Sequence, residues 1–323
     1  NTFVGGLNTS AGPGVTTLAG TVLTSNTSMD LGAVVISGGD ATLGSGSGTI
    51  NIASATTGLS ALVLKLGTTG QTGAVTVAGN LDVAYLQTAA EAFSVSLLGP
   101  TVVDNAVTFT NTGGVTLGDG AADTLNFTAG VTSTASTTTV FGTVLTDNAA
   151  IRLGNVTLGG NSTLDTGTGS GNINLTSVTG GGYSLAVDAG SGTILVADAV
   201  SGVDTLTITQ SNGTTFQGEV TVATVNIVGT AANRTVAFEG DLNATASLDT
   251  AAGAYNVFLL GTTNSIAGPT TFANTGTVRL GDEATDTVTH TGVLDTTSAS
   301  LTELAGTIDT TNANISFGPT ELI

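Results

Sequence analysis

The chain restates itself, and this constrains its fold more than any other feature, because a chain that repeats one pattern builds from one supersecondary unit. Gly20-Thr-Val-Leu-Thr-Ser-Asn-Thr-Ser-Met-Asp-Leu-Gly32 returns as Gly142-Thr-Val-Leu-Thr-Asp-Asn-Ala-Ala-Ile-Arg-Leu-Gly154. A third copy reads Gly306-Thr-Ile-Asp-Thr-Thr-Asn-Ala-Asn-Ile-Ser-Phe-Gly318. A second block, Thr108-Phe-Thr-Asn-Thr-Gly-Gly-Val-Thr-Leu-Gly-Asp119, returns as Thr271-Phe-Ala-Asn-Thr-Gly-Thr-Val-Arg-Leu-Gly-Asp282. Aligning the copies gives a first module at 1–123, a second at 124–286 and the start of a third at 287–323. The second module carries an insertion of roughly 40 residues near 179–225.

Inside each module runs a shorter rhythm. Apolar-containing stretches of three or four residues, such as 49–52, 74–77, 107–109, 115–117, 124–127 and 172–175, are separated by Gly, Asn, Asp and Thr. Their large apolar side chains take alternate positions, the period of a half-buried strand. Residues 33–36 are apolar throughout, which predicts a strand buried on both faces. No stretch has strong helical periodicity; 88–93 comes nearest. Composition agrees: 47 glycines, abundant Thr and only 8% charged residues form a strand-and-turn vocabulary. Very short strands in long imperfect repeats predict an all-β, elongated parallel β-solenoid, or β-helix, with tandem β-sandwich modules as the alternative. At about 20–25 residues per coil, roughly 13–16 coils are expected.

Charge narrows the partners. Four basic side chains, Lys65, Arg152, Arg234 and Arg279, stand against a net charge of −19. A nucleic-acid backbone needs clustered cations, which this chain lacks. Anionic membrane surfaces repel it, and the apolar runs fall far short of the about 18–20 residues that span a bilayer, so no membrane insertion is expected. Divalent cations are the charged partners that fit. Without cysteine there are no disulfides and no thiolate sites.

The phrases Thr-Gly-Gly-Val-Thr-Leu-Gly-Asp119, Gly142-Thr-Val-Leu-Thr and Asn172-Ile-Asn-Leu-Thr resemble the repeat regions of very large bacterial surface exoproteins, the filamentous-haemagglutinin-like and autotransporter-passenger-like β-helix proteins. The likeness runs over nearly the whole chain. It implies a parallel β-helix, export to the cell surface, and adhesive, matrix or filament roles. No secretion-targeting domain of the haemagglutinin type is recognisable in the sequence.

Candidate chemistry is sparse. Gly118-Asp119-Gly-Ala-Ala-Asp123 recurs as Gly281-Asp282-Glu-Ala-Thr-Asp286. Carboxylates four apart in a Gly-containing turn suit calcium, while Asp at such positions also caps turn N–H groups. Calcium is the one cofactor these residues suggest. His290, the only histidine, falls in the repeat slot held by Phe127 and reads as a packing position. Carboxylate pairs for sugar cleavage would be Asp82 with Asp104, Glu239 with Asp241, or Asp282 with Asp286. No tryptophan and only three tyrosines, Tyr85, Tyr183 and Tyr255, supply sugar-stacking platforms, so an enzyme is not expected. Thr108-Phe-Thr110 and Thr207-Ile-Thr209 have the Thr-x-Thr form that binds ice when it recurs in register on successive coils. Acceptor sequons for N-glycosylation include Asn8, Asn26, Asn155, Asn161, Asn174, Asn212 and Asn243.

The expected role is therefore a secreted structural one, at the cell surface or outside it: a fibre, sheath or surface layer formed by repeat stacking and self-association. The alternatives are the stalk of an adhesin that binds surface or glycan ligands, and a β-helical polysaccharide-processing enzyme. The sequence begins and stops inside its own repeat phrases, which predicts a slice of a longer array or a subunit that stacks end to end.

Overall fold

Strands of mostly two to four residues, with alternate side chains buried, recur throughout the computed structural model, which describes residues 1–12, 14–58 and 61–323. No helix occurs among the described residues. Alternation buries one face of each strand, and Gly- and Asn-rich corners then turn the chain so that the next strand buries its own face against the same narrow core. Strands pair in parallel, each with a strand one coil away, and partners lie 18 to 26 residues apart. The fold is a β-solenoid of about 15 turns counted over its two units, Asn1–Gly160 and Asn161–Ile323. The parallel pairing sets aside the β-sandwich alternative, whose sheets are antiparallel.

In the first unit a coil carries three strands, and like strands form ladders. One ladder runs through 50–52, Val75–Val77, Val95–Leu97, Val115–Leu117 and 138–140. A second runs through 55–56, Leu81–Val83, Thr101–Val103, Thr124–Phe127 and 143–145. A third pairs Val63–Leu66 with Tyr85–Thr88, and pairs Val107–Phe109 with Val131–Ser133 and then 151–153. The second unit repeats the plan. Its first ladder joins 173–175, Ile194–Val196, Thr214–Phe216, Thr235–Phe238, Asn256–Leu259, Thr277–Leu280, Leu301–Leu304 and Thr320–Leu322. Its second joins 200–203, 220–222, 242–244, Thr263–Ile266, Thr287–His290 and Thr307–Thr310. Its third joins 162–165, Leu185–Asp188, 206–208, 225–227 and 248–250.

Register decides which side chains stack. Ile52, Val77, Leu97, Leu117 and Val140 lie in one row, each at most 1% exposed. Burying each such side chain stabilises the fold by about 1.5–3 kcal/mol. Phe216 stacks flat on its ladder partner Phe238 at 5.0 Å, and Phe109 of one ladder meets Phe127 of another edge-on at 6.1 Å across the core. Residues 33–36 depart from the sequence reading. Val34 and Ile36 are buried, whereas Ala33 and Val35 are only partly covered. A single-layer wall has no second sheet outside it, so its outer face stays accessible even where it is apolar.

The repeated phrase beginning at Gly20, Gly142 and Gly306 is a built corner. Asn26, Asn148 and Asn312 each adopt a left-handed backbone, with φ of 57°, 58° and 56°. Asn tolerates that region better than other residues with a side chain. Two residues earlier in each copy, the hydroxyls of Thr24, Thr146 and Thr310 donate to the carbonyls of Thr27, Ala149 and Ala313. The leading glycine has positive φ in all three copies, and in the second and third copies close approach requires it as well. A Cβ on Gly142 would sit 2.3 Å from the carbonyl oxygen of Asp123, and one on Gly306 would sit 2.2 Å from that of Asp286.

Candidate functional site

The acidic turns lie directly against those corners. In the first unit one carboxylate oxygen of Asp123 accepts the N–H groups of Asp119 and Gly120, both at 2.8 Å. In the second, Asp286 accepts those of Asp282 and Glu283, both at 2.9 Å. Thr143 and Thr307 of the following coil donate their N–H groups to the carbonyls of Asp123 and Asp286. Each turn is thus closed on itself and tied to the next coil. Burial pushes the Asp286 carboxyl up, but the two N–H donors outweigh it and hold the group below the ordinary Asp value. Asp282 moves the other way: partial burial and then the adjoining Asp286 carboxylate raise it. Each turn brings together two aspartates, and among the described residues no three acidic or His side chains converge as they would around a metal ion.

His290 is fully buried, and its Nδ1 shares a 3.1 Å hydrogen bond with the Thr270 hydroxyl. Nε2 has no partner among the described residues, and burial pushes the imidazole down to about 4. Its ladder neighbours are Ile266 and Thr310. Phe127 occupies the matching inward position of its own strand and lies beside Val103. Among the described residues no carboxylate is hydrogen-bonded to His290, whose one polar contact is the Thr270 hydroxyl.

The remaining candidates stay apart. Asp82 stands opposite Val102, not Asp104, on the outer side of its ladder. Glu239 is exposed, while Asp241 accepts the Thr263 N–H at 2.9 Å. Thr108 is in register with Thr132, but the row ends at Arg152 on the following coil. Thr207 lies between Ala186 and Asn226. Neither Thr-x-Thr pair therefore extends into a long threonine array.

What the sequence reading missed is a groove in the second unit, along the corner that follows the third ladder. Asp165, Asp188 and Gln210 stand in register on three successive coils. They line a cavity of about 390 Å³ together with Thr168, Ser191 and Asn212. Each aspartate is oriented by its own turn: Asp165 accepts the Gly167 N–H at 2.7 Å, and Asp188 accepts the Gly190 N–H at 3.0 Å. Gly190 forms the floor at φ 52°, where a Cβ would lie 2.3 Å from the Gly167 carbonyl oxygen. The signal for this groove lay in Asp165-Thr-Gly-Thr168 and Asp188-Ala-Gly-Ser191, one Asp-x-Gly-hydroxyl phrase restated a coil later. No family model, curated protein or solved structure matches this chain.

Proposed function

We propose that this chain is an extracellular structural protein whose coils build a fibre, sheath or surface layer by stacking and self-association. The observation that carries the reading is the parallel register that stacks coil on coil. Inward rows such as Ile52, Val77, Leu97, Leu117 and Val140 keep one register from coil to coil, so each ladder ends in a strand edge that a further strand could extend. An open strand edge presents unpaired N–H and C=O groups that template pairing with another strand. The absence of cysteine, the acidic surface and the likeness of its repeat phrases to haemagglutinin-like and autotransporter-like exoproteins support a place outside the cell.

Cryo-electron microscopy of the native purified chain, paired with sedimentation over a range of concentrations, tests the reading. Uniform filaments with a layer spacing near about 4.8 Å are expected. Rods that remain monodisperse at high concentration would overturn self-association. They would favour the second reading, an adhesin stalk, which the groove at Asp165 and Asp188 makes specific.

A further inference from the structure

The groove of the second unit repeats its chemistry coil by coil. On one coil Asp165 presents a carboxylate beside Gly167 and the Thr168 hydroxyl; on the next, Asp188 does so beside Gly190 and the Ser191 hydroxyl. The third coil offers amides in place of that set, from Gln210 and Asn212. Three successive coils therefore form three adjoining subsites along the stacking direction, spaced by one coil, about 4.8 Å. A corner that repeats a subsite at a fixed interval is suited to a ligand that repeats as well.

We propose that this groove binds a neutral, linear glycan lying along the stacked coils. The chemistry of the wall selects the class. The carboxylates of Asp165 and Asp188, both lining the groove, are strong acceptors for sugar hydroxyls. The amides of Gln210 and Asn212 and the hydroxyls of Thr168 and Ser191 both donate and accept, as sugar hydroxyls do. A cationic peptide would satisfy the carboxylates but leave the amide donors facing ammonium or guanidinium groups. A uronic or sulfated glycan would bring its own anions against Asp165 and Asp188 in a chain of net charge −19. Each aspartate has one oxygen held by a turn N–H, so the carboxylates are oriented before the ligand arrives. The cavity of about 390 Å³ lies at the small end of the usual ligand-site range. This assignment rests on the groove and not on self-association, so either can fail without the other.

Isothermal titration of the intact chain with short cello-, manno- and chito-oligosaccharides tests it, with oligolysine and heparin fragments as competing classes. At least one neutral series should bind, more tightly as the oligomer lengthens to cover the three coils. Asp188→Asn should weaken that binding by about tenfold, the loss expected for one charge-assisted hydrogen bond. Ser191→Trp, an exposed position at the mouth of the groove, should block binding while leaving the circular-dichroism melting curve in place. Asp309→Asn, an exposed carboxylate elsewhere in the second unit, should change nothing. The proposal is overturned if no neutral oligosaccharide binds at millimolar concentration, or if binding survives both groove variants. It is equally overturned if oligolysine or heparin, and no neutral sugar, is the ligand lost in those variants.

Discussion

At the scale of the residue, the fold depends on a few side chains that no average propensity would single out. Asn312 holds a left-handed corner at φ 56° on the surface. Asn312→Gly should leave stability nearly unchanged, whereas Asn312→Val should cost about 1–2 kcal/mol, because a β-branched side chain is excluded from that region. Denaturant titration of both variants reads the difference. His290 makes the chain acid-sensitive in a definite direction. Its folded value near 4 lies below the ordinary 6.5, so the unfolded chain takes up the proton first. The stabilising contribution of the neutral ring is whole above about pH 6.5, declines as pH falls towards 4 and is lost below it, in all about 3 kcal/mol. His290→Phe restores the residue type of the Phe127 slot and should abolish this dependence. Hydrogen exchange across 263–310 between pH 7 and pH 4.5 measures it, since coils open locally before the whole chain does.

At the scale of the element, the unit of construction is the corner and not the strand. Three-residue strands have almost no autonomous stability, and their register comes from corners such as 118–123 and 281–286, tied to Gly142 and Gly306 of the following coil. Gly306→Ala would drive a methyl group into the Asp286 carbonyl at a φ that disfavours it. The expected result is loss of exchange protection in Thr287–His290 and Thr307–Thr310, with strands of the first unit unaffected. The aromatic pair Phe216–Phe238 joins neighbouring coils of one ladder. Phe238→Ala should destabilise by about 3–5 kcal/mol, read from the urea midpoint, because neighbouring coils cannot collapse into the space without breaking ladder register.

At the scale of the molecule, length comes in whole coils. Ile194 pairs with Thr214, and Val200 with Val220, so the intervening coil spans 20 residues on both ladders. Removing residues 194–213 should leave a folded second unit with unchanged β-sheet circular dichroism, because every later strand finds an equivalent partner one coil earlier. Removing 194–203 alone should unfold or aggregate it, since half a coil would bring each later strand against the wrong wall of the preceding coil.

Much of this was legible in the residues themselves. Alternating Val, Ile, Leu and Phe, the recurring Asn of the corner and the placement of His290 in a phenylalanine slot determined a parallel solenoid and its inward face, because burial period and turn chemistry are local properties of a chain. Residues 33–36 misled, since an apolar run does not tell whether a second layer covers it. The groove escaped for a different reason. Asp165, Asp188 and Gln210 are separated by 23 and 22 residues, and coils elsewhere in the chain vary from 18 to 26. With so variable a period, only the tertiary stacking decides which outward side chains stand side by side, and a ligand site on a solenoid wall is made of that adjacency.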